Sequence, residues 1–480
     1  MSSNLTSTYS LGDVADVFDG PHATPKKLEQ GDAIFLSISS LEQGRLNLEQ
    51  SSYISEDDYI KWTRRVTPQP GDVVFSYETK IGEASIIPEG LRCCLGRRMG
   101  LLRAKRNKVI PDFLLYAYLS PAFQEVIREK TIHGSTTDRL SIKEMPSFKI
   151  QIPDVRKQNK IIKILKSIDG KLGLNQQVKK TLEQMAQALF KSWFVDFEPV
   201  KAKMAVLEAG GSQENATRAA MTAISGKDAD ALAVFQREQP EYYAELQATA
   251  ELFPSAMQAS ELGDIPEGWC TDSIKSICDV VDYVANGSFA ALKENVNLYD
   301  TPNDVLYVRT TDFNKGFSTN LKYTDNESYN FLKKSSLVGT EVIISNVGDV
   351  GTVFRPPSWL GMPMTLASNA IAIKSDKLNE FLCLYFKSNI GQHAISSIIT
   401  GSAQLKFNKT SFRALKLVLP TDGILDSFNK IAIINTKMLN SLNAKTYSLT
   451  QLRDTLLPKL LSGEITLPEA EQAVSEAENV

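Results

Sequence analysis

Residues 153–165 read Pro-Asp-Val-Arg-Lys-Gln-Asn-Lys-Ile-Ile-Lys-Ile-Leu, and the long stretch that they open occurs a second time near the C-terminus. A shift of 267 residues places Pro153 on Pro420 and Leu189 on Leu456 without a gap. The shift holds over about sixty residues, which indicates an internal duplication rather than a chance similarity. The chain is therefore predicted to consist of two related halves, each ending in a copy of this stretch.

Apolar residues in the first copy recur at every seventh position, and a second set lies four residues further on. The two sets contain Ile161, Ile168, Leu182 and Leu189, and Leu165, Leu172, Ala186 and Trp193, respectively. This spacing is typical of a helix that packs against another helix, so the two copies are predicted to form a pair of long helices. An alternative, in which each helix packs only on its own domain, remains open because Asn175 and Lys179 interrupt the pattern. Gly170 and Gly173 also weaken a helix, by about 1 kcal/mol each.

Length and composition set the broad class of the protein. A chain of 480 residues with 42% hydrophobic and 23% charged residues is an ordinary globular protein of about two to four domains. It has neither an apolar run of the roughly 20 residues that cross a bilayer nor an N-terminal signal, so we expect a cytoplasmic protein without a membrane partner. The five cysteines form no C-x-x-C pair, which favours free thiols over structural zinc. A formal charge of −3 argues mildly against nucleic-acid binding, although the distribution of charge matters more.

Short β-branched runs closed by glycine turns predict a small mixed globule in each half. One such block, 71–88, matches 340–357 in the second half. We predict an α+β fold with pseudo-two-fold repetition, in which two mixed α/β globules are joined by two long helices. The predicted segments are a first globule at 1–153, a long helix at 154–198, an Ala-rich helical linker at 199–264, a second globule at 265–420, a second long helix at 421–462 and an acidic, disordered tail at 463–480. The clearest short helix is predicted at 112–130.

A search for catalytic motifs finds one candidate. Asp72, Glu78 and Lys80 lie along a β-like run and imitate metal-dependent nucleases, in which acids hold Mg²⁺ and a lysine assists the attacking water. A Mg-dependent nuclease centred on these residues is therefore the alternative function, although three-residue patterns of this kind are common. The sequence has no G-x-x-x-x-G-K-[ST] phosphate loop, and its three histidines lie in unrelated contexts. No metal site is otherwise predicted.

Basic residues gather in two places. The segment 91–108 carries seven cations and no acid, and 404–413 combines amides that can read adenine edges with cations that can hold phosphates. A run of charge is more often a solvated face than a binding site. Two such places in matched halves nevertheless favour DNA binding. A scaffold that never touches bases remains a further alternative.

Three longer blocks carry a resemblance to a known family. They are Leu-Phe-Lys-Ser-Trp-Phe-Val-Asp-Phe-Glu-Pro-Val-Lys-Ala-Lys-Met at 189–204, Leu-Gly-Asp-Ile-Pro-Glu-Gly-Trp at 262–269 and Leu-Arg-Asp-Thr-Leu-Leu-Pro-Lys-Leu-Leu-Ser-Gly-Glu-Ile at 452–465. Over nearly its whole length the chain resembles the specificity (S) subunits of type I restriction-modification systems. The resemblance implies two target recognition domains, each reading one half of a split, asymmetric sequence in double-stranded DNA. It also implies an antiparallel pair of long helices that hold the domains apart.

The same resemblance implies the partners and cofactors. Two methylase (modification) subunits dock on the long helices, and restriction/translocase subunits join that core. The chain itself is then a non-catalytic subunit without a cofactor, because S-adenosylmethionine, ATP and Mg²⁺ are bound by the partners. A helix of some 38 residues would span roughly 57 Å, about the length of 17 base pairs, which fits two half-sites separated by an unread gap.

Residue roles are predicted from these patterns. The residues predicted to contact DNA are Lys80, Arg97, Arg98, Thr136, Lys143, Asn346, Arg355, Gln404, Lys406 and Asn408. The resemblance implies that the long helices dock the methylase subunits, and the helix residues predicted to do so are Leu182, Leu189, Trp193, Phe194, Leu449, Leu456 and Leu460.

Overall fold

The chain divides into two compact units. The computed structural model describes residues 7–42, 44–134, 137–401, 404–462 and 464–478. Unit 1 consists of Met1–Leu174 and Lys445–Val480, and unit 2 of Asn175–Ala444. Each unit therefore contains one mixed globule together with a part of each long helix.

Unit 1 is built on three main sheets. The strands of the first, in spatial order, are Ala15–Asp19, Met99–Ala104, Val73–Ser76 and Ala84–Ile86, all antiparallel. The strands of the second sheet are Ser52–Ile54, Ala33–Leu36 and Cys93–Leu95, and the last two of these are parallel. The third sheet consists of Ser7–Ser10 and Lys149–Ile152. The short strands Leu41–Glu42 and Arg45–Leu46 pair antiparallel. Val73 and Phe75 point to the main core and Val74 to a second apolar cluster, because successive side chains of a strand face opposite sides.

The helices of the unit 1 globule differ from the prediction at one point. They are Leu11–Val14, Glu56–Trp62, Pro111–Leu119 and Pro121–Glu129. The single helix predicted at 112–130 is thus two helices that meet at Ser120. Ser120 ends the first and caps the second, and Pro121 begins a helix because it has no N–H to donate.

The acidic tail contains a helix. The prediction of disorder at 463–480 was wrong for Leu467–Glu478, which is helical and has Ala470 and Val474 buried in the core of unit 1. Its apolar residues recur at helical spacing, which places them on one face. The side chain of Glu469 accepts the backbone N–H of Thr466 at 2.7 Å and so caps the helix start.

Unit 2 repeats the three main sheets of unit 1, with one additional strand in the second sheet. Its four-stranded antiparallel sheet has the order Asp279–Asp282, Ala370–Lys374, Val342–Ser345 and Val353–Phe354. A second sheet has the order Tyr323–Thr324, Val305–Val308, Met364–Leu366 and Ser336–Leu337, with its central pair parallel, and Cys270–Ser273 pairs with Lys416–Leu419. The helices of this globule are Ile274–Ile277, Phe289–Asn295, Thr310–Phe313, Asn326–Phe331, Asn379–Lys387, Asn389–Ser397 and Lys409–Arg413. The predicted α+β fold with two related globules is confirmed.

The segment predicted as an Ala-rich helical linker at 199–264 forms a small module of unit 2. Its elements are the helices Glu198–Glu208, Gln213–Ser225, Ala229–Glu238 and Pro240–Leu252, followed by a hairpin of Met257–Ser260 and Gly263–Pro266. The buried ammonium of Lys203 donates to the carbonyl of Phe253 at 2.6 Å, just beyond the end of the last helix. A cation at this position suits the negative end of the helix dipole.

The first long helix is Val155–Phe194, and the second is Asp422–Ser462. The first ends four residues before its predicted limit of 198, because Phe197 adopts a left-handed backbone with a φ of 54° before the next helix begins. Gly170 and Gly173 do not interrupt it.

In each unit the parts of the two long helices run antiparallel. In unit 1, Lys157 Nζ lies 3.4 Å from the carbonyl of Leu461, whereas Asp169 lies 3.5 Å from Arg453, so residue numbers rise along one helix as they fall along the other. In unit 2 the side chain of Asn435 donates to the carbonyl of Leu182 at 3.0 Å, whereas the ring of Phe428 lies 6.1 Å from that of Phe190, so the helices again run in opposite directions.

Most of the helix residues predicted to dock methylase subunits are buried in the protein's own cores. Leu449, Leu456 and Leu460 are at most 4% exposed in the core of unit 1. Trp193 and Phe194 are at most 7% exposed in the core of unit 2, and Leu182 and Leu189 are half-buried. The heptad pattern therefore reflects packing within the chain. The five buried residues, which are the three leucines of unit 1 together with Trp193 and Phe194, are unavailable to a partner.

None of the helices formed by the described residues is both long enough and apolar enough to cross a membrane.

Candidate nucleic-acid interface

Three segments of unit 1 meet in a group that we call the first loop cluster, made of residues 77–80, 97–98 and the described parts of 132–140. The backbone N–H of Tyr77 donates to the carbonyl of Arg98 at 3.2 Å, and the N–H of Leu140 donates to the carbonyl of Tyr77 at 2.9 Å. Arg139 forms isolated backbone bridges to Glu78 and to Ile132. Main-chain hydrogen bonds thereby hold three separate segments together, and these segments carry exposed side chains.

Unit 2 has an equivalent second loop cluster, made of residues 346–349, 368–369 and the described parts of 400–407. The N–H of Asn346 donates to the carbonyl of Asn369 at 3.0 Å, and the N–H of Phe407 donates to the carbonyl of Asn346 at 3.1 Å. Lys406 forms backbone bridges to Val347 and to Thr400. Main-chain pairing is therefore the same in both units, although the side chains differ.

A glutamine fixes the turn beside each cluster. In unit 1 the side-chain amide of Gln124 donates to the carbonyls of Gly82 and Tyr118, at 3.1 and 2.9 Å. In unit 2 the side-chain amide of Gln392 donates in the same way to the carbonyls of Gly351 and Phe386, at 2.9 and 2.6 Å. Both glycines have a positive φ, 92° and 93°, which favours glycine because it has no Cβ. The paired helices of each globule thus support the adjoining loop.

The first loop cluster contains most of the residues predicted to contact DNA in unit 1. Lys80 is exposed, and its ammonium donates to the carbonyl of Leu41 at 3.1 Å. Arg97 is exposed, whereas Arg98 Nε lies 2.7 Å from a carboxylate oxygen of Glu78. Two further predicted residues are outside this group: Lys143 is exposed on a following turn, and Thr136 lies outside the described residues.

The second loop cluster contains Asn346, Gln404 and Lys406, the last two of which are exposed. The side-chain oxygen of Asn346 is enclosed, with no hydrogen-bond partner among the described residues. Asn408 follows the cluster and caps a helix, where its side-chain oxygen accepts the N–H of Ser411 at 2.8 Å.

Arg355 lies in a different environment. Its side chain is 14% exposed and lies 3.0 Å from Glu380. It also donates to the carbonyls of Thr340 and Asn379, at 2.9 and 3.0 Å. The guanidinium therefore holds parts of unit 2 together, and we no longer regard Arg355 as a DNA-contact residue.

Two residues of the loop clusters were missed by the sequence analysis. Arg139 is exposed in the first cluster, and Asn369 is exposed in the second. The 267-residue shift that revealed the duplication also places Arg139 on Lys406, a residue that was predicted. Applying the shift to each predicted residue would therefore have identified Arg139.

The basic segment 91–108 is not one continuous patch. Arg92 pairs with Glu56 at 2.6 Å, and Arg103 pairs with Asp72 at 2.7 Å. These cations serve contacts within unit 1. Apart from Arg92, the exposed arginines of this segment are Arg97, in the first loop cluster, and Arg106.

The residues of the alternative nuclease do not form a metal site. Asp72 is 3% exposed and accepts two hydrogen bonds from Arg103 and one from the backbone N–H of Gln69. Glu78 is paired with Arg98. Within the described part of the chain, no group of three or more His, Cys, Asp or Glu side chains is arranged to hold a metal ion. The nuclease interpretation is therefore unsupported.

Comparison with known proteins identifies the family. The family model described as the type I restriction modification DNA specificity domain matches residues 5–184 and again 266–446. The chain belongs to the type I restriction-modification DNA specificity family. Like other specificity subunits it has two recognition domains, and it is not the catalytic subunit of its system.

Individual relatives in the type I specificity family extend over most of the chain. The specificity subunit of the type I restriction enzyme HindI from Haemophilus influenzae is 33% identical over 380 residues, which cover 76% of this chain and 80% of the relative. That of the type I restriction enzyme MjaIX from Methanocaldococcus jannaschii is 23% identical over 455 residues, covering 94% and 88%. The crystal structure of an S subunit from M. genitalium aligns over 96% of this chain and 97% of that chain, with 12% identity and a TM-score of 0.47.

Proposed function

We propose that this specificity subunit reads a bipartite, asymmetric DNA sequence, with one recognition domain on each half-site. The observation that carries the proposal is the repetition of one loop cluster in both units with different exposed side chains. An equivalent backbone would present donors to each half-site in the same way, while the side chains would select different bases. Two unlike halves would then give an asymmetric target.

The residues that we assign to DNA contact lie in or next to the two loop clusters, and all of them except Arg98 and Asn346 are exposed. They are Lys80, Arg97, Arg98, Arg139 and Lys143 in the first domain, and Asn346, Asn369, Gln404, Lys406 and Asn408 in the second. Exposed cations attract the phosphates of any duplex, whereas amides and guanidinium groups also reach base edges. The net charge of −3 does not oppose this assignment, because partner subunits can supply further phosphate contacts.

Sequencing of methylated DNA tests the proposal directly. DNA from cells that carry the chain together with its modification subunit should be methylated at one bipartite motif with a gap of constant length. Removal of the chain should abolish that pattern. Methylation without a sequence motif, or a single uninterrupted motif, would contradict the assignment of one half-site to each domain.

We further propose that the chain holds two modification subunits, and that restriction/translocase subunits join this core. S-adenosylmethionine, ATP and Mg²⁺ would be bound by these partners. Because most of the heptad residues are buried, docking would use the outer faces of the long helices. Ile431, Ile434 and Met438 on the second long helix are 47%, 61% and 48% exposed. Their spacing places them on one face, and exposed apolar strips of this kind mark interaction sites.

Two neighbouring isoleucines offer a matched test of docking. Ile433 is also exposed, at 41%, but lies on a different face of the helix from Ile434. Ile434→Asp should prevent co-purification with the modification subunit, whereas Ile433→Asp should not. Equal retention of the partner by both variants would refute docking on this strip.

A further inference from the structure

The two loop clusters present different side chains on the same backbone. Arg98 and Asn369 each come immediately before a strand of the four-stranded sheet of their unit, and both have a positive φ, 71° and 70° respectively. The carbonyl of each accepts an N–H from the neighbouring segment, from Tyr77 and Asn346. The pair Arg97-Arg98 is therefore structurally equivalent to Ser368-Asn369.

A second equivalence concerns a cation that both clusters keep. Arg139 and Lys406 are exposed, and each bridges two neighbouring segments through its backbone. A cation present at the same place in both clusters suits a phosphate, since every duplex presents phosphates whatever its sequence. A phosphate contact by these two residues would carry no information about the bases.

The difference between the clusters lies in the type of hydrogen-bonding group. Arg97 is exposed beside Arg98, and a guanidinium matches the O6 and N7 acceptors of guanine. In the second cluster Asn369 and Gln404 are exposed, and a side-chain amide matches the N6 donor and N7 acceptor of adenine. Arginine offers only donors, so it cannot accept the amino hydrogen of adenine.

A carboxylate accompanies the arginines. Glu78 Oε2 lies 2.7 Å from Arg98 Nε, with the two side chains 21% and 34% exposed. The equivalent residue in the second cluster, by its bridge to Lys406, is Val347, which has no charge to offer. At this position a carboxylate is present only in the first cluster, where it holds a guanidinium, and holding that guanidinium reduces the conformational entropy lost on binding.

We propose that the first recognition domain requires guanine in its half-site, read by Arg97 and Arg98 with Glu78 as a positioning residue, and that the second requires adenine, read by Asn369 and Gln404. This inference rests on the proposed function, since it assumes that the loop clusters face DNA. It adds which base each cluster selects.

Selection from a randomised duplex library tests the assignment. The full chain with its modification subunit should select a bipartite motif with an invariant guanine in one half and an invariant adenine in the other. The double substitution Arg97→Ser with Arg98→Asn installs the pair of the second cluster. It should lower the preference for guanine by about 5- to 150-fold and leave the other half-site unchanged.

Three single variants separate base reading from folding and from charge. Arg97→Gln alters only an exposed side chain and should shift the preference in the first half-site from guanine towards adenine. Glu78→Gln should weaken the guanine preference without changing the adenine half-site. Arg139→Ala should weaken binding to all duplexes alike and reduce its salt dependence, with the motif unchanged.

The possible failures are distinct. A bipartite motif whose guanine survives Arg97→Gln and the double substitution, or whose other half changes instead, overturns the base assignment and leaves the proposed function intact. Selection of no bipartite motif by the unsubstituted complex overturns the proposed function itself.

Discussion

Arg453 of the second long helix lies 3.5 Å from Asp169 of the first, between Nη1 and Oδ1. The same carboxylate accepts the hydroxyl of Tyr116 at 2.6 Å and lies 3.9 Å from the guanidinium of Arg45. Burial, followed by the charge of Asp169, raises the pKa of Tyr116, so the phenol stays protonated and donates. One aspartate thereby connects both long helices to the globule of unit 1.

Replacing Asp169 with alanine should destabilise unit 1. The substitution leaves the buried hydroxyl of Tyr116 and two guanidinium groups without their shared acceptor. Asp169 is 28% exposed, so solvent screens part of the loss, and we expect a decrease of about 2 kcal/mol in the free energy of unfolding. Urea denaturation followed by circular dichroism measures it. Lys163→Ala, at an exposed position of the same helix, should change the value by less than about 0.5 kcal/mol. Similar losses for both variants would show that Asp169 has no special role.

The aromatic core of unit 2 gives a second prediction. Trp193 is fully buried, and its ring centroid lies 5.2 Å from that of Phe253 and 5.9 Å from that of Phe428. Trp193→Ala should lower the free energy of unfolding by about 3–5 kcal/mol, because it removes buried apolar area and leaves a cavity.

Met185→Ala is the matched control on the same helix, since Met185 is 61% exposed. It should leave stability nearly unchanged. The pair of variants also separates packing from docking: a destabilised Trp193→Ala protein that still binds the modification subunit at low temperature would support the structural role. Normal stability of Trp193→Ala would contradict it.

Much of the fold is encoded in patterns that the sequence displays locally. The long helices were predictable because the apolar residues of the first copy recur at heptad spacing, and because its match to the second copy, such as Pro153 with Pro420, needs no gap. What packs against the apolar face of each long helix was predicted only in part. Heptad spacing indicates that a helix face is covered, and the same spacing would be expected whether the cover is another segment of the chain or a different protein. Trp193 and Leu456 were therefore assigned to a partner although they form the chain's own cores.

The candidate site was less predictable for a related reason. Arg97, Arg103 and Arg355 look alike in sequence, and what distinguishes them is a carboxylate that folding brings close. Asp72 reaches Arg103 across 31 positions of the chain. Such pairings depend on strand order, which short sequence patterns do not specify. The C-terminal tail differs, because its short-range pattern did contain the information. Ala470 and Val474 lie at helical spacing, but the acidic composition led to the prediction of disorder.

The C-terminal helix provides a third prediction. Val474→Asp places a charge in the core of unit 1, and charge burial without a partner is costly. We expect the helix Leu467–Glu478 to detach, with faster hydrogen exchange and cleavage by proteases in that segment. Gln472→Asp adds the same charge at an exposed position and should leave exchange slow. Equal protection in both variants would mean that the contact of Val474 with the core contributes little.

Thiol reactivity gives a fourth prediction, which tests the core of the first globule without a mutation. Cys93 and Cys94 are at most 1% exposed, and burial raises the pKa of each thiol to about 12. A raised pKa leaves very little thiolate at pH 8, and the thiolate is the species that reacts. Cys270 is exposed and serves as the internal reference. Iodoacetamide at pH 8, followed by peptide mass spectrometry, should modify Cys270 rapidly and leave Cys93 and Cys94 unmodified until urea unfolds the protein. Rapid modification of Cys93 or Cys94 in the folded protein would require that the strand Cys93–Leu95 opens to solvent, contrary to its position in a buried sheet.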